Sequence, residues 1–119
     1  MTTHNQRLGL LGEQIAERWL TRKGWRIVYR RFVNGHRDID LVAQRDSTIA
    51  FVEVKARTGF DPAYPIRTAV DHRKRRALRH AIARWVNLHH YEGAGRIDVI
   101  SVADGVVIEH LLDLGADFF

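Results

Sequence analysis

The chain has 119 residues, of which 45% are hydrophobic and 28% are charged, and this composition is typical of one globular domain spanning residues 1–119. It contains no cysteine, no apolar run long enough to span a membrane and no signal-like start, so we expect a cytoplasmic protein without disulfides, thiolate metal sites or a cysteine nucleophile. The formal net charge of +5 favours a polyanionic partner, with nucleic acid ahead of an anionic membrane.

The first half of the chain predicts one helix and three strands. Apolar residues at helical spacing, followed by Gly24, predict the helix. Alternating apolar residues between turn signals predict the strands. The predicted elements are a helix over Thr2–Lys23 and strands over Trp25–Val33, Asp38–Gln44 and Thr48–Arg57.

The second half predicts a loop, a long helix and a closing hairpin. The loop holds both prolines, and the hairpin turns at Asp104-Gly105. Because the second helix separates two groups of strands, the order αβββαββ predicts an α/β or α+β domain with a mixed sheet. We expect two phenylalanines in the tail to dock onto the domain. The predicted segments are the loop Thr58–Pro65, the helix Thr68–Tyr91, the strands Ile97–Ala103 and Val106–Leu112, and the tail Gly115–Phe119.

Charged residues interrupt the two most hydrophobic strands. Side chains in a strand alternate between faces, so Asp38 shares a face with Asp40, and Glu53 shares one with Lys55. A turn of two or four residues between the strands places Asp40 opposite Glu53, and Asp38 opposite Lys55. The other face of the second strand is predicted to carry Ile39, Leu41 and Ala43.

This register brings two carboxylates and a lysine to one patch of the sheet. Burying two unpaired carboxylates together is costly, and a divalent cation removes that cost. Carboxylate oxygens suit magnesium or manganese, and a lysine beside such an ion can orient or deprotonate a water, so the pattern predicts metal-assisted hydrolysis of a phosphodiester. A structural salt-bridge ladder, in which Lys55 neutralises Asp38 or Glu53, would explain the same spacing without catalysis.

Longer phrases of the sequence resemble a known family. An Asp followed by a hydrophobic strand with Glu-x-Lys resembles the PD-(D/E)xK nuclease superfamily, whose core is αβββαβ. The phrases "DIDLVA", "FVEVKART", "AVDHRKRRAL", "RIDVISV" and "IEHLLD" resemble the YraN family of uncharacterised, endonuclease-like bacterial proteins, which is similar to archaeal Holliday-junction resolvases. The resemblance covers nearly the whole chain and implies a restriction-endonuclease-like fold, with a mixed central sheet flanked by two helices.

The resemblance also implies roles for individual residues. Asp40 and Glu53 would be ligands of a magnesium or manganese ion, together with the backbone carbonyl of Val54, and Lys55 would be the catalytic lysine. Glu13 matches an acid that the resolvase-like branch places on its first helix. The alternative for Glu13 is an exposed helical acid, but its helical neighbours three and four residues away include no base, so a local salt bridge does not explain it.

Positive charge is concentrated at the start of the second predicted helix. Such a cluster opposes the helix dipole and repels itself, so we expect a compensating anion such as a nucleic-acid backbone. A solvated face with Asp71 as cap is the alternative. The predicted nucleic-acid contacts are Arg30 on the first strand and Arg73, Lys74, Arg75, Arg76 and Arg79 on the second helix.

Together these features predict a metal-dependent endonuclease that hydrolyses phosphodiester bonds in DNA, with branched or damaged DNA as candidate substrates. Junction-cutting relatives act as dimers, so a homodimer is expected by analogy. The alternatives are a non-catalytic nucleic-acid-binding domain that keeps the nuclease fold, and a protein-interaction domain whose charges are structural.

Overall fold

The computed structural model describes residues 3–35, 37–59 and 72–113. The predicted element order is confirmed, and the largest difference within these ranges is an earlier start of the fourth strand. Most of the predicted proline loop, the first residues of the second predicted helix and the tail Gly115–Phe119 lie outside the described residues. The elements are α1 (His4–Arg22), β1 (Arg26–Asn34), β2 (Arg37–Arg45), β3 (Thr48–Arg57), α2 (His72–His89), β4 (Ala94–Ala103) and β5 (Val106–Leu111).

The strands form one mixed sheet in the order β1-β2-β3-β4-β5. The pairs β1–β2 and β2–β3 are antiparallel, the pair β3–β4 is parallel, and β5 returns antiparallel to β4. The parallel pair is possible because the connection that contains α2 carries the chain back across the sheet between β3 and β4. The predicted αβββαβ core with a mixed sheet between two helices is therefore confirmed.

The two helices cover opposite faces of the sheet. Leu20 of α1 belongs to one buried cluster and Leu78 of α2 to another. Successive residues of β3 point to the two clusters in turn, as Phe51 packs on the α2 side and Val52 on the α1 side. Neither described helix is long and apolar enough to cross a membrane.

The first helix touches the sheet closely at Gly12. A Cβ added at this glycine would lie 2.7 Å from the Cβ of Ala56 in β3, which is closer than real Cβ atoms approach. The helix begins at a capping box, in which Thr3 Oγ1 accepts from the backbone N–H of Gln6 at 3.1 Å and Gln6 Oε1 accepts from the N–H of Thr3 at 2.9 Å. These contacts fix the start and the height of α1 over β3.

The regular alternation of β2 is interrupted at Asp40. Ile39 and Val42 both pack in the α2 cluster, although a separation of three residues would place them on opposite faces of a regular strand. The predicted grouping of Ile39 with Leu41 and Ala43 is therefore wrong. The neighbouring position in β1 is Arg31, whose φ of +50° is left-handed, so both strands depart from the regular pleat at this point.

Candidate active site

Asp40 and Glu53 are buried carboxylates on neighbouring strands, with 8% and 2% of their surface exposed. The β2–β3 pairing has the predicted register as far as the pair of Leu41 with Val52, where it ends. One residue further on, Asp40 Oδ2 accepts a hydrogen bond from the backbone N–H of Val54 at 2.8 Å. The predicted register is thus confirmed up to the site, where a side-chain contact replaces the ladder.

The electrostatic state of this pair is unusual for carboxylates. Burial raises the pKa of Asp40 to about 6 and that of Glu53 to about 7. The charge of Asp40 raises the pKa of Glu53 further, so the two groups lie close enough to repel each other. The hydrogen bond from Val54 and the charges of Lys74 and Lys55 act in the opposite direction without cancelling the shift. The pKa values of both acids therefore stay raised, and perturbed pKa values are common at functional sites.

The two oxygens of Glu53 have different surroundings. Oε1 lies 3.3 Å from Lys55 Nζ and 3.1 Å from Lys74 Nζ. Oε2 is buried and has no hydrogen-bond partner among the residues that the structure describes. Buried polar atoms are nearly always paired, so this oxygen fits a cation that would bind there.

Lys74 enters the site from α2. Its Nζ lies 3.1 Å from Glu53 Oε1 and 3.7 Å from Asp38 Oδ1, and its side chain is 32% exposed. Asp38 is thus paired with Lys74, and the predicted placement of Asp38 opposite Lys55 is wrong, because the β2–β3 ladder ends before it reaches them. A sequence signal was present, since Lys74 lies four residues before Leu78 on the buried stripe of α2 that continues to Ala81 and Trp85.

Glu13 also reaches this site, through an ion pair that is not local. Both of its carboxylate oxygens accept from Arg31 Nη2, at 2.8 and 3.0 Å, and only 17% of its side chain is exposed. Burial raises the pKa of Asp40 most, and the charge of Glu13 raises it further. The pKa of Arg31 is raised by Glu13 above all, and also by Asp40 and Asp38. No local pattern of the sequence marked Arg31 as the partner.

The structure separates the predicted nucleic-acid contacts into different surroundings. Arg30 forms an ion pair with Glu17 of α1 and remains 65% exposed. Lys74 contacts the acids of the site, whereas Arg73 and Arg76 on the same helix are exposed. The two remaining residues, Arg75 and Arg79, are partly buried and have interactions within the protein. Contact of all six residues with nucleic acid stays a prediction.

Asp98 is a third buried acid, and its oxygens are fully paired. It accepts hydrogen bonds from Arg96 Nη2 at 3.1 Å, His110 Nε2 at 2.8 Å and the backbone N–H of Asp113 at 3.0 Å. Trp19 Nε1 donates to His110 Nδ1 at 3.1 Å, which leaves the proton of a neutral His110 on Nε2. Burial opposes ionisation, but the hydrogen bonds from His110 and Asp113 and the charge of Arg96 outweigh it and lower the pKa of Asp98.

Comparisons with known proteins agree with the resemblance found in the sequence. Residues 12–102, which include the acids and lysines of the site, match the sequence profile of the Uncharacterised protein family UPF0102. The chain is 41% identical over 107 residues to a UPF0102 protein of Rhodopseudomonas palustris, over 88% of this chain and 80% of that protein. It is 36% identical over 113 residues to one of Beutenbergia cavernae, over 91% and 95% of the two chains. UPF0102 is the YraN family, so that resemblance is confirmed, and none of these names states an activity.

Proposed function

The chain belongs to the Uncharacterised protein family UPF0102, and we propose that it is a metal-dependent endonuclease that hydrolyses phosphodiester bonds in DNA. The observation that carries the proposal is Glu53 Oε2, a buried carboxylate oxygen without a partner among the described residues, next to the second buried acid Asp40. Two adjacent carboxylates with raised pKa values are suitable ligands for a cation, because the cation would offset their mutual repulsion and favour their ionised forms.

The donor set fits a hard divalent cation such as magnesium or manganese. Asp40 and Glu53 would hold the ion, and the backbone carbonyl of Val54 would be a further ligand. Within the described ranges, no group of three or more His, Asp or Glu side chains is gathered to hold a metal, so waters and a substrate phosphate would fill the other positions, as magnesium prefers. When bound, the ion would supply a polarised water and would stabilise charge on the phosphate.

The surrounding side chains would bind the phosphate and direct the water. The side chain of Lys55 is 27% exposed and its Nζ lies 3.3 Å from Glu53 Oε1, so it can donate to a solvent water or a phosphate oxygen without leaving the site. The site has four carboxylates, from Glu13, Asp38, Asp40 and Glu53, and three cations, from Arg31, Lys55 and Lys74. One divalent cation would change the formal charge from one negative to one positive, which attracts a phosphodiester.

The substrate side of the proposal rests on the exposed charge of α2. Arg73 and Arg76 are exposed near the start of the helix whose Lys74 reaches the acids. A DNA backbone bound along these arginines would have a phosphate close to the site, and the net charge of +5 would assist the encounter. Branched or damaged DNA is the substrate class that we propose to test first, with a homodimer as the acting form.

A cleavage assay with matched variants tests the proposal. Labelled duplex, four-way junction and single-stranded DNA are incubated with magnesium or manganese and with the wild type, Glu53→Gln, Lys55→Met or Asp104→Asn. We expect cleavage by the wild type and a loss of roughly 100-fold in Glu53→Gln and Lys55→Met. Asp104 lies in the exposed turn between β4 and β5, so Asp104→Asn removes one carboxylate charge elsewhere and should cleave like the wild type.

The other outcomes identify the alternative functions. Salt-dependent DNA binding without cleavage in either metal would reject the enzyme and support a non-catalytic nucleic-acid-binding domain. The absence of both binding and cleavage with all three substrates would reject both of these functions and would leave a domain whose charges are structural.

A further inference from the structure

Lys74 has surroundings unlike those of the exposed cations beside it. Arg73 and Arg76 are exposed, whereas the ammonium of Lys74 lies 3.1 Å from Glu53 Oε1 and 3.7 Å from Asp38 Oδ1. Its position four residues before Leu78 directs it along the buried stripe of α2. Lys74 therefore belongs to the acidic site as well as to the basic helix.

We propose that Lys74 is the counter-ion of Glu53 in the metal-free protein, and that a divalent cation displaces it toward the scissile phosphate. The inference rests on the metal-dependent activity proposed above and assigns a second lysine to that reaction. Lys74 would occupy the site before the metal binds and would contact the substrate afterwards.

The contacts of Glu53 indicate why a lysine must move. Lys55 and Lys74 both lie at Oε1, and Oε2 has no partner within the described ranges. A cation that binds Glu53 would bring two further positive charges to a carboxylate that already contacts two ammonium groups. Like charges this close repel strongly in a buried site, so one ammonium should leave.

The positions of the two lysines indicate which one leaves. Lys55 is two residues from Glu53 on the same strand, so β3 holds its Cα at a fixed distance from the acid. Lys74 comes from a different element, α2, and it already has a second acceptor, Asp38. The side chain of Asp38 is 33% exposed against 2% for Glu53. The ammonium of Lys74 can therefore leave Glu53 and stay paired with a carboxylate that lies nearer the surface.

The position of Lys74 on α2 also indicates where it would go. It follows Arg73 directly and precedes Arg76 by two residues, and these exposed arginines are the proposed contacts to the DNA backbone. Because side chains one and two residues apart do not face each other on a helix, the released ammonium would stay on the side of α2 that faces the acids, where the scissile phosphate is proposed to bind. It would then donate hydrogen bonds to phosphate oxygens as a point charge.

Manganese binding to the full chain without DNA tests the displacement. Free Mn²⁺ is measured by electron paramagnetic resonance for the wild type, Lys74→Met, Lys74→Arg and Arg84→Met. Lys74→Met removes a charge that competes with the metal. We therefore expect this variant to bind Mn²⁺ roughly 10-fold more tightly than the wild type, and a shift of one pKa unit is the same tenfold change in an equilibrium constant. Lys74→Arg keeps the competitor and should bind like the wild type, as should Arg84→Met, which removes an exposed cation from the same helix.

Single-turnover cleavage at saturating Mn²⁺ tests the second role. We expect Lys74→Met to cleave at least about 10-fold more slowly despite its tighter metal binding, because it lacks a donor to the phosphate. Lys74→Arg should retain most of the rate. Equal or weaker Mn²⁺ binding by Lys74→Met would overturn the displacement, and an unchanged cleavage rate would overturn the contact with phosphate.

A measurement on the wild type keeps the inference testable if Lys74→Met does not fold. The Cε signals of ¹³C-labelled lysines are followed by NMR during titration with Mg²⁺, and Lys74→Arg assigns the Lys74 signal. A shift of Lys74 that saturates with the metal supports displacement, and an unmoved signal at saturation overturns it. A wild type that binds no divalent cation would instead reject the proposed function itself, so the two failures are distinguishable.

Discussion

Glu53 and Asp98 are both almost fully buried, yet they are acids of different kinds. Asp98 accepts three hydrogen bonds that include both of its oxygens, and its pKa is lowered. Glu53 has two lysines at one oxygen and no described partner at the other, and its pKa is raised to about 7. Burial alone therefore does not make an acid a candidate for function, whereas burial with unmatched charge does.

The sheet keeps these two acids apart. In the parallel β3–β4 pair, Asp98 is the partner of Val52, which packs on the α1 side, and Glu53 is the next residue along β3. Asp98 accordingly joins β4 to β5 and α1 through His110 and Trp19. We infer that Asp98 stabilises the fold on the α1 side of the sheet, whereas Glu53 is available to bind a ligand on the opposite side.

The largest expected difference between the two acids is in stability. Asp98→Asn should lower the free energy of unfolding by about 4 kcal/mol, because Arg96 and His110 would lose their buried anionic partner. Glu53→Gln should leave the free energy unchanged or raise it at pH 7.5, because it removes a repelled charge. Urea denaturation measures both, with Asp104→Asn as the exposed control. An Asp98→Asn protein as stable as the control would contradict the structural role.

Divalent cations should stabilise the protein only when the Glu53 carboxylate is present to bind them. At 100 times its dissociation constant, Mg²⁺ or Mn²⁺ should raise the free energy of unfolding by about 2.7 kcal/mol, because it binds the folded state alone. Glu53→Gln should lose most of this gain, and Asp104→Asn should retain it. Differential scanning calorimetry with and without the metal checks the result, and an equal gain in Glu53→Gln would place the cation elsewhere.

The two acids should also respond to pH in opposite directions. The folded pKa of Glu53 is about 7 against an ordinary value of 4.5, so its protonation stabilises the fold below pH 4.5 and this stabilisation is lost as the pH rises through 7. The lowered pKa of Asp98 gives stability that is present above its ordinary value of 3.8 and is lost as the pH falls.

Urea denaturation at pH 5 and pH 8 measures the Glu53 contribution. We expect the wild type to lose on the order of 2 kcal/mol relative to Glu53→Gln between these two values. Asp98 is ionised throughout this window, so it does not contribute to the difference. A gap between the two proteins that is the same at both pH values would contradict the raised pKa.

The features that the sequence predicted well are set by residues close together in the chain. The hairpin of β2 and β3 needs only a short turn and period-two alternation, so the register as far as Leu41 and Val52, the residues next to Asp40 and Glu53, followed from the spacing. Lys74 reaches the same acids from α2, the helix that follows β3 in the chain. Its place on the buried stripe of α2 was readable from the spacing to Leu78, but its partner was not.

What the sequence could not predict depends on packing between distant segments. The pairing of Asp98 with His110 joins residues from two strands, and Trp19 of α1 fixes the imidazole from a third element. The left-handed backbone of Arg31 has no signal, because arginine seldom adopts that conformation. A pair of Asp38 with Lys55 requires the β2–β3 ladder to continue beyond Leu41 and Val52, where it ends, and the spacing alone does not reveal that end.

The smallest expected effect concerns the backbone of Arg31 at the rim of the site. Arg31→Asn and Arg31→Ala both remove the ion pair with Glu13, so their comparison isolates the φ of +50°. Asparagine tolerates this conformation better than alanine, and we expect Arg31→Asn to be more stable by about 1 kcal/mol. Parallel urea denaturation decides this, and equal stabilities would mean that the strand relaxes when the arginine is removed.

The contact at Gly12 has a consequence for Glu13, the next residue. A methyl group at position 12 would meet the Cβ of Ala56 at 2.7 Å, so either the helix or the strand would have to shift. A shift of α1 would carry the Glu13 carboxylate away from Arg31 and from Asp40. The placement of Glu13 beside Arg31 therefore depends on the absence of a side chain at position 12.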